Sequence, residues 1–248
     1  MSAKPLLTKS ALVTGGSRGI GRAIVERLAR DGALVTFSYL RDSEAAAEVV
    51  RSVKEAGGEA WSLKSDQADP DDVRRHYDAA ETNGVGLDIV VNNAALGLSG
   101  LLAETSDDDF DRVMATNVKG VFVSLREAAR RLRDDGRIIN VSTVNTVLHG
   151  PGIGLYAASK GAIEQLTVVA AHELGSRRIT VNTVSPGATD TDMLRSLNTP
   201  DGLEEMARMS PLGRIGRPEE VAEVVAFLVG PDGSWMTGQN LRAGGGIR

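Results

Sequence analysis

The sequence predicts an α/β fold: a single domain over residues 1–248, with one doubly wound parallel sheet covered by helices on both faces. Three observations lead there. Short apolar runs alternate with helix-period stretches along the whole chain, a pattern that builds parallel strands joined by crossover helices. Residues with polar or glycine-turn chemistry collect just after the apolar runs, where such sheets bind their ligands. A glycine-rich turn, Thr14-Gly15-Gly16-Ser17-Arg18-Gly19-Ile20-Gly21, joins the first run to the first helical stretch.

The elements follow in order. Ala11-Leu12-Val13 is the first strand, and Ile20, Ala23, Ile24 and Leu28 form one face of the first helix. Gly32 ends that helix, and Leu34–Ser38 is the second strand. A helix over Ser43–Ala56 stops at Gly57-Gly58. A third strand, Ala60–Leu63, leads to Asp66, followed by a polar helix around Asp71–Ala80. The alternation continues with a strand at Leu87–Val91, a helix from about Asp107 through Leu132, and a strand at Arg137–Val141. A helix over Leu155–Leu174, a strand at Ile179–Val184, a helix over Pro218–Leu228 and a strand near Gln239–Arg242 complete the series. No internal repeat or low-complexity segment interrupts it.

Composition narrows the function classes. The net charge of −5 comes without a basic stripe, which argues against a nucleic-acid partner. With no cysteine, disulfides and thiol chemistry are excluded. Met1 to Lys9 lacks the apolar core of a signal peptide and no apolar run is of membrane-spanning length, so a cytoplasmic protein without membrane contact is expected. The three histidines have no metal-ligand spacing, and Asp107-Asp108-Asp109 reads as the first turn of a helix capped by Ser106 rather than a cation site. No metal is predicted. Trp61 and Trp235 are expected to be packing residues, and His149 a loop residue near the mouth of a cleft.

The glycine turn suits a pyrophosphate. Gly15 can take backbone angles closed to other residues, while Gly19 and Gly21 permit close approach. Free N–H groups at the helix start then face an anion, aided by the helix dipole. Gly15, Ser17, Arg18, Gly19, Ile20 and Gly21 are the candidate contacts. After the second strand, Phe37-Ser38-Tyr39-Leu40-Arg41 holds no acid that would take a ribose 2′-hydroxyl. Arg18 and Arg41 with Ser38 instead favour a 2′-phosphate, so NADP(H) is expected over NAD(H). Asp66 is placed to accept from the adenine amino group.

Tyr156-Ala157-Ala158-Ser159-Lys160 sets a phenol and an ammonium four residues apart on one helix face. A neighbouring ammonium favours phenolate and would bring the tyrosine pKa down toward neutrality, making it a usable proton donor or acceptor.

Taken together, Thr14–Gly21, Asp66, Asn92-Asn93-Ala94-Ala95, Asn117, Tyr156 with Lys160, Pro186-Gly187, Thr191, Pro211–Glu220 and Thr237-Gly238-Gln239 resemble the short-chain dehydrogenase/reductase family over nearly the whole chain, in the single-domain form that includes 3-oxoacyl-carrier-protein reductases and ketoreductases. The resemblance implies a Rossmann-type fold and hydride transfer between a nicotinamide and a carbonyl or alcohol carbon. Tyr156 would donate a proton to the carbonyl oxygen, Lys160 would bind the nicotinamide ribose and hold the tyrosine pKa down, and Asn117 would hold a water linking Lys160 to solvent. Asn93, Ala94 and Ala95 would lie along the adenosine, and Pro186, Gly187, Thr189 and Thr191 would fix the carboxamide end of the ring. Two departures stand out: Thr143 occupies the usual place of a serine, with Ser142 one residue early, and Ala95 replaces a glycine.

The substrate would lie beneath a covering segment at about 190–212 whose Met193, Leu194, Leu197, Leu203, Met206 and Met209 favour an apolar ketone. The helices near Asn117–Leu132 and Leu155–Leu174 are apolar around much of their circumference, and family members commonly associate through the equivalent helices. A homotetramer is expected, with a dimer second. The leading function is NADPH-dependent ketone reduction. An alcohol or sugar dehydrogenase is the alternative, separated by NADP against NAD affinity; a non-catalytic NADP(H) sensor is the second, separated by binding without turnover.

Overall fold

In the computed structural model, which describes residues 4–247, seven strands form one sheet. They are β1 Ser10–Val13, β2 Leu34–Tyr39, β3 Glu59–Lys64, β4 Leu87–Asn92, β5 Leu132–Val141, β6 Thr180–Pro186 and β7 Asn240–Ala243. All pairings are parallel, in the order β3-β2-β1-β4-β5-β6-β7. This is the predicted Rossmann-type sheet. The N-terminal stretch read for a leader and the 1–248 domain span both extend beyond the described residues at their outer ends.

Helices α1 Gly19–Arg30, α2 Ser43–Glu55, α3 Pro70–Asn83, α4 Asp107–Met114, α5 Gly120–Arg131, α6 Gly154–Leu174, α7 Asp192–Leu197, α8 Pro200–Met209 and α9 Pro218–Val229 flank the sheet. Successive strand residues point to opposite faces, and both faces are covered. Val13, Ile89, Val91 and Ile139 pack under Ile24 and Leu28 of α1, Val49 of α2 and Val225 of α9. Their neighbours Leu12, Val90 and Ile138 pack instead under Val73 of α3, Val121 and Leu125 of α5 and Ile163 of α6. The near-continuous apolar runs are the direct result of that double coverage. No helix is long and apolar enough to cross a membrane among the described residues.

Three elements differ from the sequence expectation. The long helix expected from Asp107 is two helices joined by a π-helical turn, Ala115–Lys119. The fifth strand starts at Leu132, which pairs with Leu87 before a register shift at the Asp134-Asp135-Gly136 turn. Within that turn Asp135 takes a left-handed backbone, φ +63°. The 190–212 segment folds as α7 and α8, short polar-rich helices with no fully buried residue. Trp235 is corrected from packing residue to exposed side chain, 98% accessible, because the 231–233 turn carries the chain out past the end of α9.

Candidate active site

Strand order reverses between β1 and β4, and the loops leaving these two strands form one wall of the site. Asn93 ties them together: its Nδ2 donates to the Thr14 and Gly15 carbonyls at 2.9 and 3.2 Å. Thr14 Oγ1 accepts in return from the Asn93 and Ala94 amides, both at 3.0 Å. Ser38 accepts from the Gly15 amide through Oγ at 3.2 Å, so the end of β2 shapes the loop as well. A Cβ on Gly21 would sit 2.1 Å from the Gly15 carbonyl oxygen, which explains why this helix turn has no side chain. Gly19 has φ +54° and faces the methyl of Thr191, bringing the turn after β6 against the glycine loop.

This loop fits a pyrophosphate. Helices α2, α3 and α4 are capped by Asp42, Asp69 and Ser106, whereas α1 has no side-chain cap and no acid in its first turn. The N–H groups of Gly19, Ile20 and Gly21 therefore start a helix whose positive end is left for an external anion. Ser17 is half-buried beside it and Arg18 is exposed. At the end of β2, the Asp42 carboxylate accepts from the Ala45 amide at 2.9 Å and is spent on the cap, while Arg41 is exposed. Asp66 is also exposed and accepts from the Ala68 amide at 2.8 Å through one oxygen.

The second wall is α6. Lys160 is 1% exposed, and its Nζ donates to the Val141 carbonyl at 2.8 Å, pinning α6 to the end of β5. The ammonium lies 5.9 Å from the centre of the Tyr156 ring. Burial pushes the phenol up to about 12 and the ammonium down to about 8. The expected lowering of the tyrosine by its lysine is thus corrected for the chain by itself. Desolvation of both charged forms outweighs their attraction, and the phenol stays protonated at neutral pH.

Ser142 and Thr143 follow the end of β5, and their hydroxyls have different partners. Ser142 Oγ donates to Glu164 Oε1 at 2.8 Å, on the α6 side. Thr143 is 8% exposed, and its Oγ1 accepts from the Asn145 amide at 3.3 Å, which leaves its proton to donate.

Asn117 sits in the π-helical turn and is fully buried. Its Oδ1 accepts from the Leu96 amide at 2.8 Å, and its Nδ2 donates to the Leu96 carbonyl and to Ser159 Oγ, both at 3.0 Å. The side chain anchors the loop after β4 to α6, and its amide is fully engaged within the protein. π-turns of this kind recur at functional sites because they turn one side chain out of the helical repeat.

Beyond β6, Pro186 is buried, Gly187 packs against Gly244, and Thr189 Oγ1 donates to the Gly187 carbonyl at 3.0 Å. Thr191 caps α7 through the Leu194 amide at 3.2 Å. Ala95 is half-buried in the loop after β4. Met193 and Leu197 reach across to Gly97, closing the cleft with apolar side chains, while Met206 turns instead into a separate cavity of about 230 Å³ against β7.

Two participants escaped the sequence reading. Ser159 joins Asn117 to the helix by donating to the Tyr156 carbonyl at 2.7 Å. Glu164 takes hydroxyl donors from both sides of Thr143, and its signal was available: it follows Lys160 by the same four residues that separate Lys160 from Tyr156.

The chain is similar to known proteins over nearly its whole length. A family model described as enoyl-(acyl carrier protein) reductase matches residues 15–248. The chain is 40% identical to versicolorin reductase stcU of Emericella nidulans, over 96% of this chain and 95% of that one. It is 38% identical to the 3-oxoacyl-[acyl-carrier-protein] reductase FabG of Staphylococcus aureus, over 97% and 98% of the two chains. Among solved structures, the angucycline C-6 ketoreductase LanV with bound NADP superposes with a TM-score of 0.93 at 41% identity, covering 98% of this chain and 96% of that one.

Proposed function

The chain belongs to the short-chain dehydrogenase/reductase family of NAD(P)-dependent oxidoreductases, and we propose that it reduces an apolar ketone to an alcohol with NADPH. The observation that carries this reading is a half-buried Tyr156 phenol whose ring centre lies 5.9 Å from the buried Lys160 ammonium, with the Thr143 hydroxyl just past the end of β5. The names of the relatives support the ketone: a 3-oxoacyl reductase and a ketoreductase both act on carbonyls.

The reduced nicotinamide, when bound, supplies the hydride; the remaining chemistry is the protein's. Thr143 donates a hydrogen bond to the substrate carbonyl oxygen and fixes its position. Tyr156 transfers its phenolic proton to that oxygen as the alkoxide forms. The Lys160 ammonium stabilises the phenolate left behind, in a site dry enough for the attraction to be strong. Asn117 holds the loop after β4 in place, so that the two walls keep their spacing, and a water relay from Lys160 would run past it on backbone groups.

NADPH is favoured because the nearest acid after β2, Asp42, is consumed as a helix cap, and Arg18 and Arg41 remain exposed for a 2′-phosphate. The apolar substrate rests on Met193 and Leu197 over Gly97 and on Leu102 and Val147, which stay 78% and 42% exposed at the cleft. Phe122 on α5 and Val169 on α6 are about half exposed, as a buried face between copies would be, and we read the working unit as a homotetramer.

The test is cofactor oxidation against a panel of aryl ketones, polycyclic quinones and β-ketoacyl thioesters, with NADPH and NADH in parallel. Turnover of one ketone class with at least tenfold preference for NADPH is expected. Oxidation of a sugar or simple alcohol with NAD, and no ketone turnover, would overturn the reading.

A further inference from the structure

We propose that Glu164 is a positioning residue that aims the Thr143 hydroxyl at the substrate, an inference that rests on the ketone-reductase reading above. Its carboxylate lies on α6 one turn beyond Lys160 and is half-buried. Oε1 has three hydroxyls within reach: Ser142 Oγ at 2.8 Å, Thr146 Oγ1 at 2.8 Å and Ser185 Oγ at 3.5 Å.

A hydroxyl has one proton, so its shortest acceptor decides where it goes. Ser185 gives its proton to Asn240 Oδ1 at 2.7 Å. Ser142 has only the Lys160 carbonyl as an alternative, at 3.5 Å, and Thr146 only the Thr143 carbonyl, at 3.1 Å. Both therefore donate to Glu164 Oε1.

The consequence lies in what these two donors flank. Ser142 precedes Thr143, and Thr146 closes the single turn Val144–Thr146 that follows it. One carboxylate oxygen thus clamps both sides of the residue that faces the substrate. The clamp is anchored on the same helix that carries Tyr156 and Lys160. Through Glu164 the two hydroxyls destined for one carbonyl oxygen are built into a single rigid unit. Thr143 has only a weak bond of its own, to the Asn145 amide at 3.3 Å, so its direction depends on the turn beneath it.

The test compares Glu164→Leu and Glu164→Gln in otherwise wild-type protein and in a Thr143→Ala background, by single-turnover reduction of the best ketone with NADPH bound. Gln keeps an Oε1 acceptor and is expected to stay within about threefold of wild type. Leu removes the clamp and should slow the hydride step about 10- to 100-fold, since misplacement by an ångström has effects of that order. NADPH affinity should not change. In the Thr143→Ala background Leu should bring no further loss, because its effect runs through Thr143. An equal loss in both backgrounds, or wild-type rates for Glu164→Leu, would overturn the positioning role alone. A wild type that turns over alcohols but no ketone would overturn the parent reading and this one together.

Discussion

Asn117→Ala is the perturbation whose size follows most directly from the structure. The substitution removes one acceptor and one donor from the Leu96 backbone and one donor from Ser159 Oγ. Ser159 keeps its own bond to the Tyr156 carbonyl, so its loss is small. The Leu96 amide and carbonyl are half-buried and lose their partners together. An unsatisfied buried backbone group costs about 1–3 kcal/mol, and partial exposure places each near the lower half of that range. The sum is about 3 kcal/mol. In a chain of this size that lowers the melting temperature by about 6–12 °C. Asn117→Asp keeps an acceptor for the Leu96 amide but loses both donated bonds and sets a carboxylate against the Leu96 carbonyl, so it should be no milder. Urea unfolding at fixed protein concentration, without cofactor, reads the difference in midpoint at constant slope. A loss below about 1 kcal/mol for Asn117→Ala would refute the view that this side chain holds the loop after β4.

Other outcomes follow from the titrating groups. The reduction rate should fall as pH rises through about 8, because that is where buried Lys160 loses the charge that stabilises the phenolate; Lys160→Met should lower the rate and abolish this limb of the pH profile. His76 is 1% exposed on α3, and burial holds its pKa down to about 4 against 6.5 in the unfolded chain. The unfolded state therefore binds the extra proton between those values, and stability is lost as pH falls from 6.5 to 4. The shift corresponds to about 3 kcal/mol, and His76→Leu should flatten this part of the stability–pH curve in urea titrations.

Much of this was legible in the sequence. Strands buried on both faces announce themselves as apolar runs, and the glycine turn fixes where the first helix begins. Tyr156 and Lys160 were placed together by helix periodicity, and Thr143 was preferred to Ser142 because it stands where the family has its serine; Ser142 Oγ donates to Glu164. What was hidden depends on contacts between distant segments. The π-turn at Asn117 exists because its side chain satisfies a loop some twenty residues earlier, which no local pattern records. Glu164 shares the helix face of Tyr156 and Lys160, but its role depends on two hydroxyls supplied beyond the end of β5. Burial likewise outweighs the local Tyr–Lys pairing in setting the phenol's pKa, because desolvation depends on the whole surrounding fold. Helices α7 and α8 bury no residue fully, and the covering segment was read from its apolar residues without a helix assignment.

Tyr156→Phe keeps the ring and removes only the oxygen proposed to deliver the proton. NADPH binding should be retained while ketone turnover falls by about 10²- to 10⁴-fold, the usual weight of a general acid. Turnover within a few-fold of wild type, with the cofactor bound as before, would mean that the proton comes from another group.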